Sequence, residues 1–319
     1  MRAGIIGCGG IAKAHVQGYR DNNVQIAALM DVSEQAAASM AAGIEGARCF
    51  DSYESLLDSG LVDLVSICTP PVAHEEPAIL ALERNIHVLL EKPLAHSLAS
   101  ARRVVAAADR SDALLMTAFR HRYLPAIQKV REIVQSGAIG PVVFVHNTFC
   151  GSAFAMKDRW FSKKSVAGGG TLMDTSIHSV DIFRYLFGEV VEQKAVMHRH
   201  LAGTDVEDAS ILILKAENGV IGSLTASWVA ADGVAEIDVM GQPGRVVYDY
   251  MTPDQLKLER RGEQGWEILP VEASGGFDKE IAHLVKAIQG QETLSCTGHD
   301  GLRAVEIVQS MYENVEESV

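Results

Sequence analysis

Six residues near the start of the chain restrict its fold more than any other feature. Gly7-Cys8-Gly9-Gly10-Ile11-Ala12 fits the spacing G-x-G-x-x-A. A short apolar run, Arg2 to Gly7, precedes it and reads as a buried strand. Ile11 to Arg20 follows and reads as a helix. In that setting each glycine has a physical task. Gly7 permits a tight turn, Gly9 lets the backbone approach a pyrophosphate, and the small Ala12 lets helix and strand pack closely. The helix start, at Gly10 and Ile11, offers free N–H groups and a partial positive charge to phosphates.

The next segments extend the same pattern. Gln25 to Met30 reads as a second strand ending at Asp31, 24 positions after Gly7. A carboxylate there can accept hydrogen bonds from both adenosine ribose hydroxyls and repel a 2′-phosphate. Val32, Ser33 and Glu34 follow without an arginine, so NAD is expected in preference to NADP. The plainer alternative is an aspartate that caps the next helix. Ser33 to Ala42, His74 to Arg84 and Ala99 to Ala108 read as helices. Val62 to Cys68, His87 to Leu90 and Leu114 to Ala118 read as buried strands. Strand–helix alternation with continuous apolar strands predicts an α/β, doubly wound parallel sheet of the Rossmann type.

After about residue 120 the grammar changes. Leu124 to Gln135 reads as a helix closed by Ser136-Gly137. Strand-like runs then follow with few helices between them: 142–149, 192–200, 209–215, 220–228, 235–240 and 245–250. Asn218-Gly219 is a hairpin signal. Short connections predict an α+β domain with a predominantly antiparallel or mixed sheet. Two helices close the chain, near 278–289 and 301–314. The expected domains are 1–120, binding the dinucleotide, and 121–319, binding the substrate.

Composition narrows the function. The 319 residues are 48% hydrophobic and 22% charged, an ordinary globular profile, with a net charge of −13. Such a surface repels nucleic-acid phosphates and anionic membranes, so neither is an expected partner. No apolar run reaches the ~18 residues of a membrane span. The five cysteines form no C-x-x-C pair, which predicts neither a zinc site nor a disulfide framework and fits the cytoplasm. No secretory signal is read at the N-terminus.

Two further segments carry chemistry. Glu91-Lys92-Pro93 follows a buried strand at its carboxyl end, where open α/β sheets bind ligands. A lysine there can steady an alkoxide, with Glu91 positioning it. Gly168-Gly169-Gly170 then leads into Thr171 to Asp181. The glycines read as a flexible, side-chain-free approach for a substrate. Asp174 and His178 stand four apart and are expected on one helical face, with Asp181 nearly on the same face. A carboxylate beside a histidine orients its ring and raises its basicity. Two carboxylates and one histidine fall short of a typical zinc set. The bland reading of both segments is a solvated turn and an ordinary helix surface.

Together these motifs resemble the Gfo/Idh/MocA oxidoreductase family. The matching runs are Gly4 to Ala12, Cys68 to His74, Glu91 to Ala95, Ser136 to Gly140, and Gly168 through Asp174 to His178. The resemblance implies a Rossmann domain followed by a domain with a large open sheet, used for homodimer or homotetramer contacts. It implies hydride transfer between nicotinamide and a hydroxyl carbon of a sugar, cyclitol or related polyol. Lys92 matches the family's catalytic lysine, His178 its proton-transferring histidine and Asp174 its substrate-binding acid. Thr69, Pro70 and His74 match a cofactor-contacting loop, and Asp181 a position that holds His178. Arg120, His121 and Trp160 fall at substrate-facing positions. Arg120 stands where many members have Asn, Ser176 where many have Gly, and Phe161 follows Trp160 where Arg is common. Two rival readings remain: a glycosidase that uses NAD for transient sugar oxidation, and a ligand-sensing regulator without chemistry.

Overall fold

The computed structural model describes residues 1–316. Strands β1 (Arg2–Ile6), β2 (Gln25–Met30), β3 (Arg48–Phe50), β4 (Leu64–Ile67), β5 (His87–Glu91) and β6 (Leu115–Ala118) alternate with helices α1 (Gly10–Asp21), α2 (Glu34–Ala41), α3 (Tyr53–Leu57), α4 (Glu75–Glu83) and α5 (Leu98–Ala108). Helix α6 (Pro125–Gln135) and the long strand β7 (Val142–Ser152) follow. Two short helices, α7 (Lys164–Ala167) and α8 (Thr171–Asp174), come next, then the longer α9 (Ser176–Phe187). Strands β8 (Val190–His198), β9 (Ala209–Ala216), β10 (Ile221–Ser227), β11 (Val229–Gly241), β12 (Gly244–Asp249), β13 (Gln255–Arg260) and β14 (Glu267–Pro270) complete the second half. Helices α10 (Phe277–Ile288) and α11 (Gly298–Glu316) close the chain.

The chain divides into two compact units. One comprises residues 1–120 and 277–305, the other 121–276 and 306–319. The sequence predicts a second domain that runs unbroken over 121–319. Residues 277–305 instead join the first unit because α10 packs directly on α1. A Cβ at Gly18 would lie 2.7 Å from Ile281 Cδ1, so only glycine allows this approach. The Asn22 amide donates to the Asp278 carbonyl at 2.8 Å beside it.

The first sheet has strand order β3-β2-β1-β4-β5-β6, with every pair parallel. Strands β1 and β4 are buried almost throughout, which explains their unbroken apolar runs. The order reverses between β1 and β4, and that reversal opens the crevice where such sheets bind ligands. Strand β3 and helix α3 gave no signal in the sequence. β3 is a three-residue edge strand whose residues are exposed or half-exposed.

The second sheet has order β14-β13-β12-β11-β7-β10-β9-β8. β7 and β10 pair in parallel and the other neighbours antiparallel. The Asn218-Gly219 turn joins β9 to β10, with Gly219 at φ +88°. Helix α9 covers the inner face: a Cβ at Gly222 on β10 would meet the Phe183 ring at 2.7 Å. The opposite face carries alternate side chains that stay exposed, including Val196, Ile211 and Ile213. Strand β14 gives little sequence signal because it is short and largely exposed, and β13 beside it, with Leu256 and Leu258 buried, is a further strand not predicted from the sequence. No helix among the described residues is long and apolar enough to cross a membrane.

Candidate active site

The glycine turn leaves β1 at the reversal point of the first sheet. Gly7 has φ +91°, and a Cβ on it would lie 2.8 Å from the Cys68 carbonyl carbon on the neighbouring strand's exit loop. Its amide donates to the Met30 carbonyl at 2.8 Å, tying the turn to β2. Gly9 and Gly10 differ: a Cβ on either meets nothing within 4 Å. Gly9 is the N-cap of α1 and supplies no side-chain cap, so the first N–H groups of the helix point outward. Ile11 is partly exposed beside them. A rigid glycine followed by open backbone and a bare helix start fits a dinucleotide pyrophosphate.

Asp31 belongs to the same turn. Its carboxylate accepts from the Cys8 amide at 2.7 Å and from the Ser33 amide at 2.8 Å. The acid is therefore fixed at the end of β2 by two backbone donors. The alternative reading, that Asp31 caps α2, gives way to Ser33, whose hydroxyl accepts from the Ala36 amide. Burial, with Asp31 adjacent, pushes the Cys8 thiol up to about 12, so it stays protonated.

Lys92 follows β5, half-buried, and its peptide bond to Pro93 is cis. Glu91 is buried, accepts from the Lys92 amide at 3.1 Å and faces His15 Nε2 at 2.9 Å. Glu91, expected to position the lysine, thus reaches its backbone amide. His74, expected in a cofactor-contacting loop, has both ring nitrogens on protein carbonyls. Its ring is fully buried between the Pro93 and Thr69 carbonyls, at 3.0 and 2.9 Å. Burial pushes its basicity down, and it braces the loop after β4 against the loop after β5. Thr69 and Pro70 remain half-exposed on that loop. Arg120 lies over the Phe277 ring, 5.0 Å from its centroid.

In the second unit, His121 and His178 stack, with ring centroids 4.4 Å apart and planes 13° from parallel. Phe149 and Tyr250, from β7 and the loop after β12, frame His121 at 5.4 Å each. His121 is buried and His178 half-buried. Asp174 ends α8 and His178 lies in the first turn of α9, so the expected single helix is interrupted at Thr175. The Thr175 hydroxyl accepts from Trp228 Nε1 at 3.0 Å and donates to Asp174 at 3.4 Å, which anchors the junction. Asp181, expected to steady His178, forms a buried two-point ion pair with Arg122 at 2.8 and 2.5 Å. Trp160 stacks on Phe161 and borders a cavity of about 580 Å3 lined also by Lys157, Arg159 and Lys163.

The three glycines are not a flexible approach for a substrate. A Cβ at Gly169 would fall 2.0 Å from the Tyr312 hydroxyl, and one at Gly170 1.7 Å from the Glu207 carbonyl oxygen. The missing side chains of Gly169 and Gly170 serve close packing, and Gly168 caps α7 at φ +86°. Glu207 is the centre of that packing and was not foreseen. Buried, it accepts from the Leu172 amide at 2.8 Å, from the Gly170 amide at 3.1 Å and from Tyr312 Oη at 2.7 Å. Burial raises its carboxyl above the usual range despite these donors. A lone Glu207-Asp208 between strands carries no sequence signal for such a role. His15 and Ser66 were missed too. The spacing Ala12, His15, Val16, Tyr19 does place His15 on the buried stripe of α1.

A parallel sheet with its glycine turn at the strand reversal defines a dinucleotide-binding protein. Residues 1–119 match the oxidoreductase family with an NAD-binding Rossmann fold, and residues 127–247 match the Gfo/Idh/MocA C-terminal domain. The chain belongs to the Gfo/Idh/MocA oxidoreductase family. It is 25% identical over 328 residues to a myo-inositol 2-dehydrogenase of Thermotoga maritima, covering 99% of this chain and 97% of the relative. It is 26% identical over 347 residues to a D-apiose dehydrogenase of Paraburkholderia graminis, covering 99% and 88%. A levoglucosan dehydrogenase solved in complex with NADH superposes with a TM-score of 0.93 at 25% identity, over 99% of this chain and 97% of that one.

Proposed function

We propose that this protein is an NAD-dependent dehydrogenase acting on a secondary hydroxyl of a sugar, cyclitol or related polyol. The observation that carries the reading is the turn at Gly7–Gly10: backbone too crowded for a side chain at Gly7, open at Gly9 and Gly10, with Asp31 bound into it. Relatives named for inositol, apiose and levoglucosan support the substrate class.

The bound nicotinamide supplies the hydride acceptor. Gly9, Gly10 and Ile11 hold the pyrophosphate through the start of α1. Asp31 takes the adenosine ribose hydroxyls and disfavours a 2′-phosphate, which selects NAD over NADP. Thr69 and Pro70 flank the cofactor, and His74 supports them from beneath. Lys92 donates to the substrate oxygen as it gains alkoxide character, and His178 removes the hydroxyl proton. Asp174, His121, Trp160 and Arg120 orient the remaining hydroxyls. The first unit thus serves the dinucleotide and contributes Lys92 and Arg120 toward the substrate, and the second unit supplies the other substrate-facing groups.

The exposed valine and isoleucine rows of β8 and β9 support a homodimer or homotetramer built on the open sheet. All five cysteines are free, which supports a cytoplasmic setting.

The test is absorbance of NADH during incubation with a panel of sugars and inositols, run in parallel with NADP. The reading expects NADH formation on at least one polyol and a weaker NADP reaction. Glycoside cleavage without net NADH would mark the glycosidase reading instead. Tight NADH binding with no turnover on any polyol would mark a sensor.

A further inference from the structure

Beneath the first sheet's crevice runs a chain of buried polar groups that the proposed chemistry does not use. Tyr19 Oη lies 2.7 Å from Ser66 Oγ, and Ser66 Oγ lies 2.9 Å from His15 Nδ1. His15 Nε2 lies 2.9 Å from Glu91 Oε1, and Glu91 Oε2 accepts from the Lys92 amide at 3.1 Å. Tyr19, Ser66 and His15 are fully buried, and Glu91 is 6% exposed. Buried polar groups at this depth are costly unless each is satisfied. The chain runs across three elements, from α1 through β4 to the end of β5.

Its direction matters. In either protonation state Nε2 of His15 can carry the hydrogen that Glu91 accepts. Ser66, itself bonded to Tyr19, holds the ring at Nδ1, so the imidazole has one orientation. Its output is a carboxylate held still against a single backbone amide, that of Lys92. Cys68, His74, Glu280 and Lys92 are the other ionisable groups felt at this cluster. Burial opposes charge on both partners. The contacts with Cys68 and Glu91 nonetheless hold the His15 imidazole above its ordinary range, and His15 and Lys92 hold the Glu91 carboxyl below its own.

We propose that His15 is a positioning residue for Lys92, acting through Glu91. Because His15 sits on α1, the helix whose start is read as the pyrophosphate site, it ties the cofactor turn to the lysine through one side chain. The proposal rests on the reading of Lys92 as the alkoxide-stabilising group, but its test does not depend on that reading. A hydrophobic H15L variant removes the donor. H15Q restores a donor near the Nε2 position, whereas H15N places its amide nearer Nδ1.

The first readout is the acylation rate of Lys92 across the alkaline range, followed by peptide mass spectrometry with the other lysines as internal reference. The second is steady-state turnover on the best polyol. The expected result is a displaced pH dependence of Lys92 labelling in H15L and H15N, largely restored in H15Q. Turnover should fall on the order of tenfold to a hundredfold in the first two and recover in the third. NADH binding, followed by fluorescence, reports that each variant is folded. If H15L does not fold, the contrast between H15Q and H15N decides. Parent-like Lys92 labelling in both H15L and H15N, or equal labelling in H15Q and H15N, would overturn the proposal. A K92A variant that keeps its turnover overturns the role of Lys92 instead and leaves the labelling result standing.

Discussion

Alanine at Gly7 and alanine at Gly9 should fail in different ways, although both replace a glycine of one turn. At Gly7 the backbone has φ +91°, a conformation that costs an L-residue about 1–3 kcal/mol. The new methyl also falls 2.8–2.9 Å from the Cys68 carbonyl and the Thr69 nitrogen. Those are main-chain atoms at the end of β4, a strand paired on both sides, so they yield poorly. The combined cost should reach ~3 kcal/mol or more, a large share of a typical stability of about 5–15 kcal/mol. A melting temperature lowered by roughly 6 °C or more is expected. At Gly9 the backbone has φ −77° and ψ −164°, which alanine adopts freely, and the methyl meets nothing within 4 Å. Melting should shift by only a degree or two. NADH affinity should nonetheless fall about tenfold or more, because the methyl occupies the space through which the pyrophosphate reaches the helix start. Fluorescence titration with NADH and thermal melting of both variants separate the effects. A G9A protein that binds NADH as tightly as the parent would refute the reading of the turn.

Glu207 gives a pH-dependent prediction. Its folded carboxyl lies above the usual range because it is buried, so its contribution is present at low pH and is lost as pH rises from about 4.5 through the raised value. The melting temperature of E207Q relative to the parent should therefore climb as pH rises toward neutrality; a pH-independent difference would contradict the assignment. G170A should not yield folded protein, because its methyl would sit 1.7 Å from the Glu207 carbonyl oxygen; a soluble, parent-like G170A refutes the packing account. On the open sheet, a V196K/I211K pair adds two charges to cross-strand neighbours. It should shift the protein to a smaller species in sedimentation while each chain stays folded, whereas an unchanged mass would mean that this face is not the contact.

Much of this was legible before any coordinates, for reasons that differ by element. The parallel strands announced themselves because burial on both faces leaves no polar alternation, as in β4 and β5. The glycine turn was readable because only glycine tolerates the geometry at Gly7. Residues whose role depends on distant partners were not readable. Gly169 and Gly170 look like flexibility until Tyr312, more than 140 positions later, is seen against the first and Glu207 against the second. Asp181 reads as a helper of His178, and only the fold shows that Arg122 stands beside it as well. His15 and Glu91 are 76 positions apart and meet only when α1 and β5 pack. His74 stands in the motif read as a cofactor-contacting loop, and a motif does not distinguish a group that touches a ligand from one that braces the loop.

The central claim is that Lys92 and His178 act in one hydride-transfer step. The most direct measurement is NADH formation by K92A and H178A on the best polyol, alongside NADH binding by each variant. The account predicts turnover lower by on the order of a hundredfold or more in both, with cofactor binding close to that of the parent. Near-parental turnover in either variant, with its fold intact, would contradict it.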